Sequence, residues 1–158
     1  MRKRLSTAAF ALLFVMAIAV TTFAQKERMS VSASEVNGTF RMNFAGKFKG
    51  SSNEIKILAL GQGKLHIAMD LIYPYTLNNG ELTANMGSLD GEASITGDTA
   101  IYESREYGNC KIIIKFVKRG TIKVTEESGS ECGFGHRVTA GGTYLKTSSK
   151  KPKFEEQN

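Results

Sequence analysis

Histidine and cysteine are scarce in this chain of 158 residues, with two of each. His66 and His136 are too few for a histidine-rich metal site, and two cysteines with no ligand-spaced histidine pair do not make a zinc set. Serine, cysteine and histidine nowhere assemble a nucleophile signature, and no phosphate-binding glycine loop leads into a helix. The paired carboxylates, Glu103 with Glu106 and Glu126 with Glu127, stand in or beside turns, where solvation is the default. Catalysis is therefore not expected, and neither is a cofactor or a metal. No stretch beyond residue 24 carries a helical period. A dense basic stripe interleaved with aromatics is also missing, which argues against a nucleic-acid partner.

A sustained apolar run occurs at the N-terminus. Arg2, Lys3 and Arg4 precede an apolar core over residues 8–20, and Thr22-Phe23-Ala24 offers small residues at the cleavage positions. This is the pattern of an export signal over residues 1–24, with a core too short to span a bilayer. No membrane span is expected once it is removed, and the lack of a nearby cysteine argues against a lipid anchor. Removal takes 3 of the 21 basic residues and leaves 18 against 15 acidic ones, so the charge falls from +6 to +3. The excess lies in residues 101–158, with 11 basic and 7 acidic side chains, against 7 and 8 in residues 25–100.

Both cysteines lie in the exported part, so Cys110 and Cys132 are predicted to form a disulfide in an oxidising compartment, periplasmic or secreted. Closing a loop of about 23 residues is worth on the order of 3 kcal/mol in the chain-entropy account.

The chain is organised around residues 110–146. Cys110, Ile112, Ile114 and Phe116 share one strand face, because side chains alternate with a period of two. Ile122 and Val124 do the same in the next run. A three-residue loop of Lys118, Arg119 and Gly120 sets Phe116 opposite Ile122 and Ile114 opposite Val124, with Gly120 supplying the left-handed position. Slipping by one residue would put charges on the apolar side, so that register is rejected. Cys110 then falls opposite Ser128, and the chain must fold back after Gly129 to bring Cys132 within reach. Lys115 faces Lys123 on the outer side, with Lys118 and Arg119 at the turn. This basic patch reads as a solvated face that discourages edge association, or as a site for an acidic partner or anionic surface.

Elsewhere, Phe40, Met42 and Phe44 alternate in a first strand, Ile55, Ile57 and Ala59 in a second, and Leu65, Ile67, Met69 and Leu71 in a third after the turn at residues 61–64. His66 and Asp70 fall on the outer face of the third. Residues 72–88 read as the longest connection, carrying Tyr73, Pro74 and Tyr75 as a candidate binding loop. The two tyrosines serve either as a recognition tip or as a plug over the end of the core. Leu89 to Ile95 and Ala100 with Tyr102 give strands four and five. Short runs at Phe134 to Thr139 and Gly142 to Leu145 complete the set.

The expected fold is all-β: a small antiparallel up-and-down β-barrel of about eight strands with one disulfide, or alternatively a β-sandwich. Counting the Phe134 piece raises the number to nine. The strand openings Gly38-Thr39-Phe40 and Gly142-Thr143-Tyr144 would suit a pairing that closes the barrel. The divisions are a signal at 1–24, a flexible segment at 25–36, a barrel domain at 37–146 and a disordered tail at 147–158.

The run Ala84-Asn85-Met86-Gly87, Gly91-Glu92-Ala93, Ala100-Ile101-Tyr102, Cys110-Lys111-Ile112 and Cys132-Gly133-Phe134-Gly135 with Gly142-Thr143-Tyr144 resembles a group of small exported bacterial proteins of uncharacterised function. More distantly, the exported, disulfide-held small barrel resembles the periplasmic inhibitors of C-type lysozyme. The inhibitory motifs of that family have no counterpart in this chain, and no functional residue carries over. Export, a disulfide-stapled β fold and the long Tyr73 loop lead to the expectation of a monomeric, non-catalytic binding or inhibitor-like module of the bacterial cell envelope, acting on an envelope protein or an anionic surface. The alternative is a carrier of a small apolar ligand inside the barrel.

Overall fold

The structure, a computed structural model, describes residues 30–127 and 131–154. The predicted export signal and Ser128 lie outside the described residues. Eight strands follow one another: β1 Gly38–Asn43, β2 Ser52–Gly61, β3 Lys64–Thr76, β4 Leu82–Thr96, β5 Thr99–Ser104, β6 Cys110–Lys118, β7 Thr121–Glu126 and β8 Gly142–Ser148. Each pairs antiparallel with the next, and β8 returns to β1 to close the barrel. The up-and-down barrel is thus the fold, and the sandwich is not. Phe134 to Thr139 form no strand, so the smaller strand count holds.

Alternation decides which side chains enter the interior. Phe40, Ile55, Ile57, Ile67, Ile112, Ile114, Ile122 and Tyr144 are wholly buried, and Leu65, Met69, Leu71 and Phe116 nearly so. An eight-stranded barrel is just wide enough for such side chains to fill it. Phe40 and Phe116 meet edge to face across the interior, 6.4 Å between centroids. The central hairpin adopts the expected register, with Phe116 opposite Ile122, Ile114 opposite Val124 and Lys115 opposite Lys123. Gly120 has φ of 74°, the left-handed conformation this turn needs.

Up-and-down order sends alternate connections to opposite ends. One end carries the tight β2–β3, β4–β5 and β6–β7 turns. Here residues 33–36, expected to be loose, form a helical turn, α1 Ala33–Val36. Ser32 and Glu35 make a reciprocal capping box at its start, satisfying two otherwise orphaned N–H groups. Val36 is buried in the core. Lys146 of β8 closes the far end of α1, its Nζ donating to the carbonyls of Ser34 (3.2 Å), Glu35 (2.6 Å) and Asn37 (2.9 Å). Burial pushes this ammonium below the ordinary lysine value, and the Glu35 charge acts in the opposite direction. Asn37, which opens a glycosylation-like triplet, is already engaged: its Oδ1 accepts from the Ala59 N–H at 2.6 Å.

The other end carries the longer connections, and there the sequence reading needs its main correction. Residues 72–88 are not a loop. They are the outer halves of β3 and β4, joined through residues 77–81, so Tyr73, Pro74 and Tyr75 lie in a strand. The tail is also shorter than expected: Thr147 and Ser148 belong to β8, and Phe154 packs on His66.

Candidate functional site

Pairing between β3 and β2 extends to Asp70, whereas pairing between β3 and β4 continues to Thr76 opposite Leu82. On the other side, β4 pairs with β5 at Ser94, Ile95 and Thr96 among the described residues. The β3–β4 pair therefore outruns both neighbours as a two-stranded ribbon. Two strands alone are marginal in water, so contacts along its edges must hold it.

One edge is held by β2 and the β1–β2 connection. Asn53, buried inside the barrel, accepts the Ile72 N–H at 2.8 Å just where β3 leaves β2. Pro74 has no N–H to offer and so suits an edge strand. Lys47 Nζ donates to Thr76 Oγ1 at 2.7 Å. The other edge is held by residues 131–141, which form a lid over this end. The Gly135 N–H donates to the Met86 carbonyl at 3.0 Å, and Asn85 Nδ2 donates to the His136 carbonyl at 2.7 Å. Phe134 lies against Gly87, where a Cβ would stand 2.9 Å from its ring. Gly87 is thus the close approach that seats the lid.

The lid itself is tethered three ways. The Cys110–Cys132 disulfide anchors its beginning to the first residue of β6, with Cα atoms 4.5 Å apart. Glu126, expected to be solvated, accepts from Thr139 Oγ1 at 2.9 Å and from the Ala140 N–H. Tyr144 reaches outward from the interior and donates its hydroxyl to the Ala140 carbonyl at 2.9 Å. Burial pushes the Tyr144 phenol up to about 12; a hydrogen bond with Asn53 acts the other way, and the charge of Glu126 adds to the rise. Val138 and Ala140 are the lid's own buried side chains, part of the core.

This frame places the candidate residues. Tyr73 points inward, packs against the core and is covered by the Arg137 guanidinium 4.6 Å from its ring centroid. Tyr75 stacks beyond it at 6.5 Å. Tyr73 is half-buried against the core, and Tyr75 beside it is half-buried as well. The ribbon's exposed apolar groups are others: Met86 is 74% exposed, Leu82 54% and Leu77 41%. Met86 also lines an open cavity of about 260 Å³ with Ile72, Gly87, Ser88 and Gly133. Tyr107, 66% exposed, rests on Gly133 and extends the same surface. The hydrogen bond to Glu106, together with its charge, holds the Tyr107 phenol above the ordinary tyrosine value. Sequence reading passed over Leu82 and Met86 because residues 72–88 carry no sustained alternation of apolar and polar side chains.

Lys118 and Arg119 are exposed at the β6–β7 turn, at the end of the barrel opposite the ribbon tip, with Lys115 and Lys123 facing one another on β6 and β7. The basic patch and the Tyr73 region are therefore separate surfaces. On the outer face, His66 Nε2 lies 2.8 Å from Asp90 Oδ1 across β3 and β4, not beside Asp70. Among the described residues, no group of three or more histidine, cysteine, aspartate or glutamate side chains could hold a metal ion. No helix among them is long and apolar enough to cross a membrane. Comparison of the chain with protein-family models, with curated proteins and with solved structures finds no match in any of the three.

Proposed function

We propose that this protein is a non-catalytic binding module, inhibitor-like in its mode of action, that engages a protein of the bacterial cell envelope through the end of the barrel bearing the ribbon. The observation that carries this reading is the exposure of Met86, Leu82 and Leu77 on a ribbon braced along both edges. Apolar side chains held on a stiff support lose little further freedom when a partner covers them, and such preorganisation favours binding. Three large apolar side chains exposed on one ribbon are a candidate interaction surface. The disulfide fits export to an oxidising compartment. The carrier reading draws no support from the interior, which inward side chains fill.

The test pairs the wild-type chain with a Leu82→Asp, Met86→Asp variant as baits for an envelope fraction. A partner recovered by wild type is then purified and its affinity measured against both. These exposed positions tolerate charge without loss of fold, so the variant should bind at least tenfold more weakly. Equal affinity would remove the ribbon from the account.

A further inference from the structure

We propose that the outer face of β3 and β4 is a docking site for an extended segment bearing lysines and an aromatic ring, and that the chain's own C-terminal segment is its resident occupant. Phe154 lies flat on the His66 imidazole, with centroids 3.8 Å apart and planes within 10°. His66 is itself fixed by Asp90 at 2.8 Å, so the ring meets an oriented surface. Together with Ala68, Asp70, Ser88, Leu89 and Asp90, Phe154 lines an open cavity of about 260 Å³.

The geometry of the chain allows this contact and helps to form it. From the end of β8, the tail must cross β1 and β2 to reach β3, three strand spacings or roughly 14 Å. Six residue steps from Ser148 to Phe154 span at most about 20 Å. Pro152 fixes its own φ and biases Lys151 toward extended backbone, which keeps the crossing segment open. Charge agrees as well: the tail carries Lys150, Lys151 and Lys153, and the cavity that Phe154 lines carries Asp70 and Asp90, with Lys56 at 4.0 Å from Asp70 as a cation on the same face. The cavity shares Asp70 and Ser88 with the one beside Met86, so the docked tail borders the ribbon surface. The proposal stands whether or not the ribbon has a partner.

The experiment uses NMR of the histidine rings in the intact chain and in its Phe154→Ala variant. A stacked phenyl ring moves the His66 ring protons upfield, so the intact chain should show this shift, unchanged on dilution, and the variant should lack it. A synthetic peptide of residues 149–158 is then added to the variant at concentrations on the order of mM, comparable to what a short tether supplies. It should restore the shift, and the same peptide with alanine for phenylalanine should not. Replacing its three lysines with serine should weaken binding several-fold. Identical His66 signals in the intact chain and the variant would overturn the proposal, as would a peptide that leaves them unmoved. A shift that fades on dilution would assign the tail to a second copy and overturn occupancy in cis.

Discussion

Tyr144 joins interior and lid through one hydroxyl, and that hydroxyl makes the fold sensitive to alkali. Its phenol is raised to about 12 by burial, against 10.0 for an ordinary tyrosine. Between those values the folded chain keeps a proton that the unfolded chain releases, so the contribution is complete below pH 10 and is lost as pH climbs toward 12. Two pKa units correspond to about 2–3 kcal/mol. Urea unfolding at pH 8 and pH 11 should show about half of this loss, on the order of 1.4 kcal/mol, in wild type and a smaller one in Tyr144→Phe. At pH 8 the variant should be less stable by about 1–2 kcal/mol, because the Ala140 carbonyl loses its donor. Equal pH dependence in the two proteins would remove Tyr144 from the alkaline response.

At the scale of elements, the ribbon and its lid depend on Gly87. A side chain there meets Phe134 at 2.9–3.0 Å, and one of the crowded atoms is Cβ, which cannot move without shifting the lid backbone. Gly87→Ala should therefore cost about 1–3 kcal/mol, read from the urea midpoint. Amide exchange at Gly135, whose N–H bonds to Met86, should rise in parallel. The same region shows where sequence reading reached its limit. The central hairpin was legible because Ile112, Ile114, Phe116, Ile122 and Val124 alternate against lysines, and a single turn length satisfies both runs. Residues 72–88 were not: Pro74 and Asn78-Asn79-Gly80 signal a break, and Thr83, Ala84, Asn85, Gly87 and Ser88 give no contrast between faces. Proline there marks an edge of the ribbon, a role fixed by neighbours distant in sequence. Lys146 and Phe154 were equally hidden, since each acts on a partner more than 80 residues away.

For the whole molecule, the disulfide is a covalent cross-link between barrel and lid beyond the backbone that joins the lid to β8. Cys110 is part of β6, whereas Cys132 sits in a segment tied otherwise by a few hydrogen bonds and the burial of Val138 and Ala140. Replacing both cysteines with alanine should lower unfolding stability by about 3 kcal/mol and leave the far-ultraviolet circular dichroism of the strands unchanged. A variant with unaltered midpoint would show that the noncovalent ties alone fix the lid.

The closing pair of strands carries a further consequence. Each of the other seven pairings joins consecutive strands, whereas β1 and β8 bring together residues more than 100 positions apart, such as Phe40 and Lys146. Joining such distant segments carries the largest chain-closure entropy, so a refolding chain should zip its hairpins first and seal the cylinder last. Because the first and last strands lie side by side at this seam, it is also the natural place to join them with a linker and open the chain elsewhere, at the Gln62 turn. A permuted protein made this way would turn the β1–β8 seam into a local hairpin and make β2–β3 the long-range pair that closes the barrel.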